Sequence, residues 1–391
     1  METTIIISFC ALLLIAYLFD LTSSKTRIPS VILLLFLGWF IKQITDFLDI
    51  PLPVFSELLP LFGTIGLILI VLEGSLELEF NKSNLGLIKK SFFGALIPML
   101  ALSFILAYLF QQYGTGDYTF KSSLINAIPF CIVSTAIAIP SVKYLSSKDK
   151  GFVIYESSFS EITGVVFFNF ISLNEHFGFY SFGSFGLQVL IIFVISFIST
   201  IGLSFLLSKI EHQIKFVPII LLVILIYAVS KTYHLPALIF IMIFGLSIGN
   251  LDELKSFKWI ERFKPDELNR EVIKFRELVV EATFVIKALF FILFGYLIET
   301  SEIFNTETLK WSLGIVAAMY IFRAAQLKLS GLALNPLLFV APRGLITILL
   351  FISILPAQNI DLVNRSMIIQ VIIITALIMM FGLMATNRQK N

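Results

Sequence analysis

Thirteen apolar blocks follow one another with only short polar connections between them, and that repetition leaves this chain little choice of fold. A helix that crosses a bilayer needs about 20 predominantly apolar residues. The blocks run 3–22, 28–45, 56–76, 89–111, 121–145, 150–173, 184–208, 215–232, 235–250, 275–298, 308–328, 335–355 and 363–385. They predict an all-α polytopic membrane protein of about thirteen transmembrane helices, folded as one transmembrane unit over residues 1–391. Composition agrees: 58% of residues are hydrophobic and 14% charged, where soluble domains hold about 45–50% and about 25%. Forty-one Phe suit a lipid-facing surface better than a small soluble core. The formal net charge of +2 calls for no polyanionic partner, and so for no nucleic acid. Cys10 and Cys131 both fall inside apolar blocks, which argues against a disulfide framework and against thiol metal sites. The N-terminal Met-Glu-Thr-Thr lacks the basic start of a cleaved signal, so block one reads as a retained span. The longest connection, 251–274, is charged and reads as an amphipathic cytoplasmic helix or as the extended start of span ten. No soluble domain is expected after span thirteen.

Lys and Arg set the orientation. With the C-terminus in the cytoplasm, twenty of the 28 basic residues fall on that side and five (Lys42, Lys121, Lys231, Lys310 and Arg365) on the other. Lys287, Arg323 and Arg343 lie within spans. Cytoplasmic loops of membrane proteins are the ones enriched in Lys and Arg. An odd number of spans then puts the N-terminus outside, in a multi-pass protein of the cell (inner) membrane.

Spans five and twelve carry helix breakers near their centres, Ile132-Val-Ser-Thr-Ala-Ile-Ala-Ile-Pro-Ser141 and Leu338-Phe-Val-Ala-Pro-Arg-Gly-Leu-Ile-Thr347. They are seven spans apart, and an odd offset makes two copies run in opposite directions. Interrupted helices at matching places in two halves are the sequence sign of an inverted repeat with a binding site at mid-membrane. The fold expected is therefore one with two crossed discontinuous helices.

Span six lies beside the first break and holds two carboxylates, Glu156 and Glu161. An acid at mid-bilayer costs roughly 2.5–3.5 kcal/mol on insertion scales, so it is seldom there without a task. Glu161 shares a helix face with Ser157 and Ser158. A carboxylate beside hydroxyls is a hard-oxygen site, suited to a monovalent cation or a proton. The unwound backbone of span five would add carbonyls, and Ser134 and Thr135 would add hydroxyls. Burial penalises the charged form of any carboxyl, so proton and cation would compete for one place. Glu156 lies about 140° around the helix from Glu161 and needs a partner of its own. Arg343, at the break of span twelve, is the natural candidate for a structural ion pair, which would bolt span six to the broken helices. Lys287 in span ten is a candidate modulator that could reach a broken helix end or Glu161, or snorkel to the interface. Glu281, Arg323, Asp20 and Glu73, nearer span ends, read as interfacial or interhelical partners. His176, His212 and His234 fall in or beside loops and show no ligand spacing. The chain contains no Walker phosphate loop, no Thr-Val-Gly-Tyr-Gly filter and no His-Glu-x-x-His, which argues against an ATP-driven pump, an ordinary potassium channel and a zinc protease.

Over nearly its whole length the chain resembles the monovalent cation–proton antiporters of the sodium/proton exchanger superfamily. The likeness rests on Glu156-Ser-Ser-Phe-Ser-Glu161, Phe290-Phe-Ile-Leu-Phe-Gly295 and Ala341-Pro-Arg-Gly-Leu345. It implies that Glu161 stands at the ion-binding acid, Ser160 at the residue before it, and Glu156 at the acid that pairs with the arginine of span twelve, here Arg343. It also implies an ion-binding core from spans within 121–173 and 275–385, a homodimer, elevator-like motion of that core, and electroneutral exchange by a single site acid. The chain departs from the pattern in three places. The span-six Asp is Glu161, the Asn or Asp before it is Ser160, and the acid often found in span five is missing from Ser134-Thr-Ala-Ile137. The function expected is exchange of Na+ or K+ for H+, with no enzyme activity and no cofactor. A sodium-coupled organic-anion symporter of the same architecture and a non-transporting sensor or partner subunit are the alternatives.

Overall fold

The structure, a computed structural model, describes residues 2–26, 28–49, 58–78, 85–114, 116, 118–142, 145–174, 179–209, 216–233, 235–250 and 265–387. Among them no strand occurs. The helices are α1 (Glu2–Thr26), α2 (Ser30–Phe47), α3 (Leu58–Glu77), α4 (Leu85–Tyr113), α5 (Phe120–Cys131), α6 (Thr135–Ser141), α7 (Ser147–Leu173), α8 (Phe179–Lys209), α9 (Phe216–Thr232), α10 (Ala237–Gly249), α11 (Pro265–Tyr296), α12 (Thr300–Ile303), α13 (Thr306–Leu329), α14 (Leu345–Ser353) and α15 (Arg365–Asn387). Each apolar block of the sequence coincides with one of these helices or with an interrupted pair. Among the described residues, nine helical stretches are long and apolar enough to cross a membrane, with Phe216–Thr232 and Ala237–Gly249 as shorter apolar helices. Of the 251–274 connection, residues from Pro265 onward are the extended start of α11; 251–264, like the three histidines, lie outside the described residues.

Both sequence breaks are real interruptions. α5 stops at Cys131, Ile132 and Ser134 take extended backbone angles, and α6 starts at Thr135. The second interruption runs from a 3₁₀ turn, Leu337–Phe339, through non-helical Val340–Gly344 into α14. Pro129 and Pro140 weaken the first stretch from within, since neither can donate a backbone hydrogen bond. Other ends are held by side chains. The Thr119 hydroxyl accepts the Ser122 amide at 3.1 Å to start α5, and the Asn305 side chain accepts the Glu307 and Thr308 amides to start α13.

The chain divides into two compact units. One comprises residues 1–64, 90–164 and 285–391, the other 65–89 and 165–284. In the first, aromatic side chains interlock edge to face, buried Phe110 with buried Phe130 (6.3 Å between centroids) and with half-buried Trp311 (6.0 Å). α2 meets α11 closely enough that a Cβ on Gly38 would sit 2.0 Å from the Ile292 carbonyl, and one on Gly295 would sit 2.3 Å from that of Leu35. Such small-residue contacts are how helices pack where lipid removes the hydrophobic drive between them. In the second unit α10 packs against α8 and α9, over a core of Phe240, Phe244 and Phe275. The outward face of α8 there presents Leu187, Leu190, Phe193 and Phe197, as a lipid-facing helix does. The expected ion-binding core of 121–173 and 275–385 lies in the first unit except for 165–173 and 275–284, because the unit boundaries fall inside α7 and α11, which are continuous helices.

Candidate ion-binding site

The two breaks meet. The amide of Ser134, left without a helical partner, donates to the carbonyl of Pro342 at 2.9 Å. Gly344 permits this approach: a Cβ there would lie 2.8 Å from Ile137 Cδ1 and 2.9 Å from Ser134 Oγ. One step earlier, the Val133 amide donates to Ser160 Oγ of α7 at 3.0 Å. Unpaired backbone is tolerated at membrane depth only where protein satisfies it, and here each break and α7 supply the other's missing partners.

Glu161 sits at the first break, 4% exposed. The Thr135 amide donates to its Oε1 at 2.8 Å and the Thr135 hydroxyl to its Oε2 at 2.7 Å. The carboxylate thus holds the first residue of α6 by both oxygens and has no ion pair within the described residues. Near it in the chain, Ser134 Oγ and Ser158 Oγ have no hydrogen-bond partner among the described residues. Ser157 differs: its hydroxyl proton goes back to the Val153 carbonyl of its own helix at 2.7 Å. The structure therefore brings together Glu161, Thr135, Ser134 and Ser160, while the Ser157 donor is engaged elsewhere.

Glu156 corrects the sequence reading. Its partner is Arg323, not Arg343. Both Arg323 Nη1 and Gln326 Nε2 donate to Glu156 Oε1, and the three side chains are buried. Arg323 also grips the Leu337 carbonyl through Nε (3.2 Å) and Nη2 (3.1 Å), with its guanidinium over the Phe152 ring at 5.9 Å. Arg343 has a different task. Its Nε donates to the carbonyl of Phe130, in the last turn of α5, and its Nη1 to that of Ala341 at 2.9 Å. A cation at a helix C-terminus meets the negative end of the helix dipole. Arg343 stands on the extended break, where carbonyls lack donors, and those carbonyls take it. Arg323 stands on a continuous helix with Gln326 one turn on, both facing Glu156. The two arginines, Glu156, Gln326, Ser160 and Cys131 line one cavity of about 30 Å³, room for about two waters.

Lys287 is half-buried and makes no hydrogen bond or ion pair among the described residues, so it is not the partner of Glu161 here. Asp20 accepts the Ser30 hydroxyl at 3.2 Å. Sequence reasoning assigned Arg323 an interhelical partner, as it has, but not Glu156 as that partner, and left Gln326 unread. The usable signal was their spacing: two costly polar residues three apart share one face of an otherwise apolar helix.

A family model described as sodium/hydrogen exchanger, transmembrane, matches residues 10–386. Among solved structures, the sodium proton antiporter MjNhaP1 from Methanocaldococcus jannaschii at pH 8 is similar with a TM-score of 0.69 at 19% identity, over 99% of each chain. An electron-microscopy structure of the same antiporter gives 0.69 at 16% identity, over 98% of this chain and 95% of that one. At these identities the likeness is one of fold. No curated protein matches the chain by sequence.

Proposed function

This chain belongs to the sodium/hydrogen exchanger family, and on that premise we propose that it exchanges a monovalent cation, Na+ or K+, for H+ at the carboxylate of Glu161. One observation carries the reading. Glu161 is a buried acid at the meeting point of two broken helices, and its partners are an amide and a hydroxyl, with no fixed positive charge on it among the described residues. A carboxylate locked to a guanidinium has its counter-charge already. One held only by neutral donors still lacks a positive charge, and either a metal cation or a proton can provide it.

The exchange follows from that exclusivity. With a proton on the carboxyl, the attraction for a cation is gone. With a cation seated, the proton has no free lone pair of comparable basicity to take. Thr135 serves the bare and the cation-bound carboxylate alike, because its hydroxyl can donate to the one or turn its oxygen towards the cation of the other. A single acid in the site gives one charge out for one charge in, which is electroneutral exchange. Glu156 takes no part in the exchange and holds α7 to α13 through Arg323 and Gln326. The reading extends to a homodimer in the cell membrane with the N-terminus outside and the C-terminus in the cytoplasm. Anion symport is disfavoured by the engagement of both buried arginines, one on Glu156 and the other on backbone carbonyls.

The test is reconstitution into liposomes containing a pH dye, with Na+, K+ and Li+ titrated separately, with and without a protonophore. Wild-type protein should show cation-dependent proton movement that a protonophore does not accelerate, and Glu161→Gln should show none. Normal transport by Glu161→Gln would remove this carboxylate from the mechanism.

A further inference from the structure

Hydroxyl groups in these helices have a default partner, the carbonyl one turn back. Ser141 uses that of Ile137, Ser157 that of Val153, Thr163 that of Phe159, and Thr375 that of Val371. Ser134 Oγ, Ser158 Oγ and Thr347 Oγ1 are buried and have no hydrogen-bond partner among the described residues. A buried hydroxyl left unpaired is costly, and in native structures such a group calls for a specific explanation, such as an ion. For Ser158 the helical carbonyl one turn back is that of Ile154, which receives the Ser157 hydroxyl at 3.3 Å instead.

All three stand on elements that meet at the two breaks. Ser134 precedes Thr135, whose amide and hydroxyl hold Glu161. Ser158 is three residues before Glu161 in α7 and so shares its face. Thr347 lies in the first turn of α14, three residues after Gly344, and Gly344 is packed directly against Ser134 Oγ. Thr347 is therefore one turn from the N-cap residue that touches Ser134. Two further hydroxyls lack a partner among the described residues and belong to other elements: Ser123 Oγ, towards the start of α5 where the Asn126 amide donates to the carbonyl of Gln358, and Thr200 Oγ1 in α8.

Resting on the reading of Glu161 as the exchange site, we propose that Ser158 and Thr347, with Ser134, are hydroxyl ligands of the transported cation, so that both broken helices and α7 each contribute oxygen to it. The donor set is all oxygen with one negative charge. Hard ligands of that kind suit an alkali cation and not a soft transition metal, and the single charge leaves the occupied site neutral. A proton on Glu161 needs none of the three hydroxyls. Their removal must therefore weaken the cation's hold and leave the proton's intact.

The experiment compares Thr347→Val and Ser158→Ala with wild type, Glu161→Gln and Thr347→Ser. Purified protein is melted in NaCl, KCl or LiCl against choline chloride, and KM for each cation is measured in liposomes. Loss of one oxygen ligand should raise the cation KM roughly tenfold, comparable to one hydrogen bond's worth of binding. It should also remove most of the cation-dependent rise in melting temperature, and Thr347→Ser should restore both. Should Thr347→Val not fold, Thr347→Ala reads the same contact. Unchanged KM together with a raised melting temperature in choline would mean that the hydroxyls are merely unpaired, and would overturn the assignment. If Glu161→Gln abolishes the cation response while Thr347→Val and Ser158→Ala keep it, only the ligand assignment falls. If Glu161→Gln itself keeps the response, the exchange reading falls with it.

Discussion

Glu156 and Glu161 occupy the same helix, five residues apart, and are buried to nearly the same extent, 2% and 4% exposed. Their surroundings differ in kind. Glu156 faces a guanidinium and a carboxamide, and its charge is neutralised permanently by Arg323. Glu161 holds the amide and hydroxyl of Thr135, and the nearby Ser134 and Ser158 hydroxyls have no hydrogen-bond partner among the described residues. On the function proposed above, burial alone does not separate a structural acid from an exchangeable one. The partner does: a fixed cation makes the charge part of the scaffold, and neutral donors leave it open to whatever cation arrives.

The largest effect that would sharpen this contrast is on stability. Glu156→Gln leaves Arg323 buried without a counter-charge, and breaking one side of such a pair costs about 3–5 kcal/mol. The melting temperature in detergent should fall accordingly, and adding Arg323→Gln should recover most of the loss. A double variant as unstable as the single would show that the pair is not what Glu156 serves. Next comes the meeting of the breaks. Gly344→Ala pushes a methyl group into Ile137 and Ser134 and should cost about 1–3 kcal/mol, read in the same melting assay, with transport lowered because Ser134 shifts. Proton competition follows in size. Below the pH at which the site takes up its proton, each unit of acidification should weaken cation binding about tenfold, or about 1.4 kcal/mol, and above it binding should be insensitive to pH. A Kd-against-pH series checks the sign, and Glu161→Gln should be flat throughout. The smallest effect is on the stability of Glu161→Gln itself. One Thr135 donor still finds an acceptor, so the loss should be about 1 kcal/mol, although transport is abolished. A collapse of that variant to the level of Glu156→Gln would erase the distinction between the two acids.

Much of this was legible along the chain. The apolar blocks declare helices because lipid penalises each polar residue and each unpaired backbone group separately. The breaks announced themselves through Pro140, Pro342 and Gly344, whose backbone chemistry is local. Glu156 and Glu161 stood out because an acid in an apolar block is costly wherever the block packs. The need of Glu156 for an arginine was readable too, since an unpaired buried charge is untenable.

Which arginine it takes was not. Arg323 and Arg343 carry the same group inside neighbouring blocks, and nothing local to either says that one meets a carboxylate and the other a pair of carbonyls. Nor did the sequence say that Ser157 returns its proton to its own helix while Ser158, one residue on, does not. Sequence by itself determined the helices, where two of them break, and which side chains cannot be left unpaired. Those follow from the free energy of each residue in an apolar medium. Only the tertiary structure decided who pairs with whom, because partnership depends on how helices far apart in the chain are rotated and brought together, and a rotation of one residue, about 100°, exchanges one hydroxyl for the next.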